Sequence, residues 1–177
     1  MKKTFSFILL VVTLFNLLAL TALAESTQDS TIVTVNADGS TTYEHSNGTI
    51  TVVSAIEKIE VETPQNSQNS SRTSADYKSI VGSVSAINRN KDTDVENWRF
   101  KLIGYFDYVE GFSSVCTDAR NEITIANDWW HYSNDDNTWN LNEAYGSGRF
   151  EYKVLIFTTE TVDVDLRIRC DSYGNFY

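Results

Sequence analysis

From Thr161 to Cys170 the chain alternates without exception, with Val162, Val164, Leu166, Ile168 and Cys170 set between Asp163, Asp165, Arg167 and Arg169. A period of two is that of a strand with one dry face and one wet face. The pattern recurs upstream: Trp98, Phe100, Leu102, Gly104, Phe106 and Tyr108 alternate against Arg99, Lys101 and Asp107, which predicts a long strand with an aromatic inner face. Tyr77 to Ile87 alternates through Ile80, Gly82, Val84 and Ala86. Phe150–Phe157 reads as one buried strand, linked by a hairpin at Thr158–Thr161 to the last one. Shorter strands are expected at Phe112–Thr117, Glu122–Ala126 and Trp139–Leu141. Polar breaks at Asp118–Asn121 and Ser133–Asn137 and a turn at Gly146–Gly148 would separate them. No stretch carries a convincing helical period, so residues 76–177 predict an all-β unit, an antiparallel β-sandwich.

The amino-terminal part reads differently. Lys2 and Lys3, the apolar run Phe7–Leu20 and the small-x-small triplet Ala22-Leu23-Ala24 predict a signal peptide over residues 1–24 and therefore a secreted, extracellular protein. No later stretch approaches the roughly 18 apolar residues of a spanning helix, so no membrane insertion is expected after signal removal. Residues 25–62 hold three β-prone runs punctuated by Asp38-Gly39 and Asn47-Gly48, strong hairpin signals. Their apolar inventory is thin, and the reading is a small β-meander, accessory or pro-like. Residues 63–75, rich in Ser, Asn and Gln and holding the single proline, predict a disordered linker.

Charge narrows the partners. Without Lys2 and Lys3, twelve basic residues face 24 acidic ones, a formal net charge of −12. No cluster of Lys or Arg exists, which argues against nucleic acid and against anionic membrane surfaces. Two cysteines in an exported chain suggest one disulfide, Cys116 to Cys170. Such a bond would close a loop of about 54 residues, worth roughly 4 kcal/mol in the chain-entropy account.

Cys116, followed by Trp129 and Trp130 and then by Cys170, resembles the cysteine, tryptophan, cysteine spacing of immunoglobulin-type sandwiches, which implies an immunoglobulin-like or related fold with the tryptophan packed on an inter-sheet disulfide. Ile168 stands where those domains carry a tyrosine two residues before the second cysteine. In layout, with signal peptide, Asp-Gly and Asn-Gly meander, linker and β domain, the chain also resembles small secreted proteins of Gram-positive bacteria. That resemblance covers no catalytic motif.

Candidate chemistry is sparse. His45 and His131 belong to no nucleophile–base arrangement, and the ligand set of a zinc site is missing. No catalytic residue, cofactor or metal is expected. The cluster Asn134, Asp135, Asp136 and Asn137 reads as an Asx-rich turn, although its oxygens are of the kind calcium prefers. The most suggestive feature is aromatic: Trp129, Trp130, Tyr132, Trp139 and Tyr145 fall in a short span rich in Asn and Asp. Adjacent Trp129 and Trp130 must face opposite sides of a strand, so one is expected in the core and the other free to stack on a ligand. The chain thus reads as a non-enzymatic binding module for a cell-envelope glycan or a protein, with the Asn134–Asn137 loop supplying hydrogen bonds. The alternative is a bacteriocin-like or toxin-like effector with an amino-terminal pro-region.

Overall fold

A computed structural model describes residues 32–60 and 77–177. The expected signal peptide and linker lie outside them. The described residues are strands, turns and loops, with no helix. They form ten strands: β1 Ile32–Val35, β2 Thr41–Glu44, β3 Thr49–Val53, β4 Glu57–Glu60, β5 Lys78–Asn90, β6 Glu96–Val109, β7 Ser113–Ile125, β8 Trp130–Asn140, β9 Glu143–Val154 and β10 Phe157–Arg169. All pair antiparallel. One sheet runs β1-β2-β3-β5-β6-β7, with β4 on the same edge of β5 as β3; the other runs β10-β9-β8.

The two Asx-Gly turns form as expected, with Gly39 and Gly48 at positive φ. The meander joins the larger sheet. β3 pairs with β5 from Val53↔Ala86 to Thr49↔Asn90, and β4 pairs with β5 from Glu57↔Ser83 to Glu60↔Ile80. A thin meander buries little alone but completes a sheet by lending its backbone to the edge of β5, and the described residues belong to one compact unit.

The core lies between the sheets. From the large sheet come Val84, Ala86, Trp98, Phe100, Leu102, Phe106, Cys116 and Ala119; from the small one come Trp130, Ala144, Phe150, Val162, Val164, Leu166 and Ile168. Trp98 stacks on Phe150 with ring centroids 3.8 Å apart and nearly parallel planes. The alternation that announced β6 and β10 is therefore the alternation of the core.

Several expectations need correction. The polar break at Asp118–Asn121 is part of β7: the register passes from Tyr105↔Asp118 to Phe106↔Cys116, so Thr117 is a bulge residue and Cys116 and Ala119 both face inward. Likewise Ser133–Asn137 is not a turn but the bulged middle of β8, where the register jumps from Ser133↔Arg149 to Asp136↔Ser147 and Asn134 takes φ 54°. Gly146–Gly148 is not a turn either. These glycines lie in β9 where neighbouring side chains fill the space a Cβ would need: one on Gly148 would stand 2.6 Å from Tyr132 Cε2, and one on Gly146 2.3 Å from Asn121 Oδ1. Phe150–Phe157 is two strands, since the chain reverses at Leu155–Ile156.

The expected disulfide is absent: Cys116 and Cys170 are both free and buried. Each thiol instead donates to a nearby carbonyl, Cys116 Sγ to Asp118 O at 3.3 Å and Cys170 Sγ to Asp171 O at 3.4 Å. Hydrogen bonds rather than sulfur tie down the end of the chain. Ser114 Oγ and Asn142 Nδ2 both donate to Cys170 O, at 2.6 and 2.8 Å. The topology also departs from the immunoglobulin arrangement, in which strands from distant parts of the chain interleave. Here each sheet is built from consecutive strands: six of the nine links between them are short hairpins, and only Ala126–Trp129 carries the chain from one sheet to the other.

Candidate functional site

At one end of the sandwich, the β2–β3 turn, the end of β5, the start of β6, the β7–β8 loop and the part of the β9–β10 hairpin next to its tip surround a hollow of about 330 Å³. Its lining is Asn47, Thr49, Asn90, Asn97, Asn127, Trp130, Tyr152, Thr159 and Glu160. That volume falls at the lower end of the range for small-ligand pockets.

The side chains are held in place by one another. Asn47 Oδ1 accepts from both the backbone N and Oγ1 of Thr49 at 2.8 Å, the Asx geometry its turn requires, while its amide nitrogen donates across the hollow to Glu160 of the opposite sheet. Asn90 Oδ1 gathers the N–H groups of Asp92 and Thr93 and the Thr93 hydroxyl, each at 3.0 Å. Asn127 Oδ1 accepts from Trp129 N at 3.1 Å, and its amide donates to Asn97 Oδ1 at 3.0 Å.

Behind this wall the amides continue inward as a ladder. Asn97 Nδ2 donates to Asn88 Oδ1 at 2.8 Å, and Asn88 Nδ2 lies 3.1 Å from Thr51 Oγ1 and 3.3 Å from Thr49 Oγ1. Thr51 Oγ1 lies 2.8 Å from His45 Nε2. Asn88 and Asn97 are buried. A register shift between β5 and β6 makes room: Asn88↔Trp98 is followed by Arg89↔Glu96, leaving Asn97 as the extra residue. A buried amide without partners would be costly, so the ladder fixes the wall in one arrangement.

Trp130 and Tyr152 supply the aromatic part, with ring centroids 5.5 Å apart. Trp130 also packs edge-on against Trp98 at 6.1 Å, which sets the pocket on the core.

The residues singled out from sequence are dispersed. Trp130, at 3% exposure, is a core residue that reaches the pocket, while Trp129 is exposed in the loop before β8. Tyr132 and Trp139 pair with Phe150 and Ala144 and so share the inner side of the small sheet, but Trp139 lies at its rim and is half-exposed. The Tyr132 phenol is held above its ordinary pKa by burial, with the Asp135 carboxylate adding to it. Tyr145 is on the outer face under the Arg167 guanidinium, 5.1 Å from its ring centroid. Asn134, Asp135, Asp136 and Asn137 are exposed along β8, where Asn121 Nδ2 donates to Asp135 Oδ1 at 2.7 Å and to Asp136 O at 2.9 Å. No single platform gathers these aromatics. Of the nine, Trp130 alone lines the inter-sheet pocket.

Apart from Trp130, the pocket residues carry no joint signal in the sequence: Asn47 and Asn90 look like turn punctuation, and Tyr152 falls inside an expected strand. One signal was present: Asn88 follows Val84 and Ala86 at inward spacing, a polar residue where the alternation demands an apolar one.

Among the described residues no group of three or more His, Cys, Asp and Glu side chains could hold a metal ion. Both cysteine thiols are raised by burial to about 11, far from a reactive thiolate. Comparison of the chain with protein-family models, with curated proteins and with solved structures returned no match.

Proposed function

We propose that this is an exported, non-enzymatic β-sandwich module that binds a neutral saccharide of the cell envelope in the pocket between its sheets. The observation that carries the reading is the lining. Four asparagines, two threonines and one glutamate surround a tryptophan and a tyrosine in a hollow of about 330 Å³. A sugar ring presents hydroxyls that both donate and accept together with apolar C–H faces, and amides, hydroxyls and aromatic rings are the side chains that match both. Pre-organisation by the amide ladder lowers the ordering cost of binding. Export rests on the amino-terminal pattern of Lys2, Lys3, the apolar run and Ala22-Leu23-Ala24.

A glycan array followed by titration calorimetry on the exported chain tests this. Glu160→Gln and Tyr152→Ala should each weaken the selected saccharide by about threefold to tenfold, the worth of one ordinary hydrogen bond or ring contact. Trp139→Ala and Tyr145→Ala should leave the affinity unchanged. Binding that depends on Trp139 or Tyr145 and ignores the pocket variants, or an array without signal, would sink the proposal.

A further inference from the structure

The β9–β10 hairpin ends in an apolar prong. Leu155 and Ile156 form its two-residue turn at 85% and 86% exposure, Phe157 follows at 64%, and Val154 is also exposed. From Val154 to Thr159 the sequence VLIFTT carries no charge. Leu155 sits at φ 59°, a left-handed conformation that favours Gly, Asn or Asp, so an apolar side chain is displayed here at some conformational cost. Beside the prong, the carbonyl of Trp129 accepts from Lys153 N at 2.8 Å, and the Trp129 ring is 51% exposed.

We propose that this prong docks the protein on the surface of an uncharged, zwitterionic lipid bilayer, Leu155, Ile156 and Phe157 entering the acyl boundary and Trp129 resting at headgroup level. Size and charge choose this occupant. A narrow tip of three or four side chains cannot supply the roughly 800 Å² per partner of a stable protein interface, but it suits shallow, reversible attachment to a bilayer. The hairpin closes its own backbone through the Phe157↔Val154 pair, so the tip can leave water without stranding a row of N–H and C=O groups. Tryptophan favours the membrane–water boundary. Without Lys2 and Lys3 the chain carries a formal net charge of −12 and is repelled by anionic lipid, which leaves neutral headgroups as the complementary surface. Peripheral attachment to neutral lipid goes beyond the expectations of no membrane insertion and no affinity for anionic surfaces. It stands independently of the saccharide reading, since the test vesicles contain no sugar.

The test is co-sedimentation of the exported chain with phosphatidylcholine vesicles. Wild type should pellet with them. Ile156→Asp should lower the partition coefficient at least tenfold, and Phe112→Asp, another exposed apolar position but at the opposite end of the sandwich, should change it less than twofold. Adding anionic phosphatidylglycerol should reduce binding. Leu155→Asn, which suits the positive φ, should also lower binding by several-fold while keeping or raising the unfolding midpoint, and so separates lost contact from lost fold. The proposal is overturned if wild type does not pellet, if both tip variants bind like wild type, or if Ile156→Asp acts by converting a dimer to a monomer in sedimentation velocity.

Discussion

Replacing Asn88 by Leu keeps the branching of the side chain, swaps its amide for two methyl groups and removes one rung of the amide ladder. Asn88 is fully buried, accepts from Asn97 Nδ2 at 2.8 Å and donates toward Thr51 and Thr49. The threonine hydroxyls keep other partners, His45 for Thr51 and Asn47 for Thr49, so their loss is modest, about 1 kcal/mol together. The orphaned Asn97 amide is the larger cost, about 1–3 kcal/mol. Added apolar burial returns about 1 kcal/mol. The expected net destabilisation is about 2 kcal/mol, and Asn97→Leu should cost a similar amount by stranding Asn88 Oδ1. In the double variant Asn88→Leu/Asn97→Leu neither end of that bond is left unpaired. Its destabilisation should fall short of the sum of the single variants by at least about 1 kcal/mol. Urea unfolding followed by tryptophan fluorescence reads this directly, because Trp98 and Trp130 are buried in the core. With a slope of about 2 kcal/mol per molar, each single variant moves the midpoint by about 1 M. Additivity within about 0.5 kcal/mol would mean that the two amides do not act as a pair, and the account of the pocket wall would fail.

Other outcomes follow from the same coordinates. Trp130→Ala should destabilise by about 3–5 kcal/mol because its ring fills the core, whereas Trp139→Ala at the rim should cost less than about 1 kcal/mol, both measured by urea midpoint. Gly148→Ala should lose about 1–3 kcal/mol, since the new methyl meets Tyr132 and Phe100; retained stability would show that the strands can separate there. Cys116 and Cys170 have folded pKa values of about 11 against an ordinary 9.0, so the folded state holds protons that the unfolded state releases. Stability should be intact below pH 9 and fall between pH 9 and 11, by on the order of 2 kcal/mol per buried thiol, with Cys116→Ala flattening part of that slope. In native protein at pH 8 both thiols should resist alkylation and react only after denaturation, and rapid native labelling would contradict their burial.

How far the fold was legible depended on where the alternation runs unbroken. Val162 to Cys170 and Trp98 to Tyr108 announced their strands and inward faces, since a half-buried strand must repeat every two residues. Where a bulge inserts one residue, the inward set changes parity. Around Thr117 in β7 and around Asn134 in β8, one continuous strand then reads as strand pieces separated by a polar break. Glycine misled for a related reason: Gly146 and Gly148 look like a turn in the text, but in the folded chain their missing side chains make room for Asn121 and Tyr132.

The sequence by itself determined an all-β chain, its hairpin turns at Asp38-Gly39 and Asn47-Gly48 and the acidic balance, because these follow from local periodicity, turn chemistry and composition. Only the tertiary structure decided that the meander completes the sheet through β5 and that Cys116 and Cys170 rest as separate buried thiols. It also decided that Asn47, Asn90, Asn97, Asn127 and Glu160, drawn from five separate stretches, share one hollow. Each of those residues satisfies a local rule where it stands, and nothing in a local rule records which distant strand will pack against it.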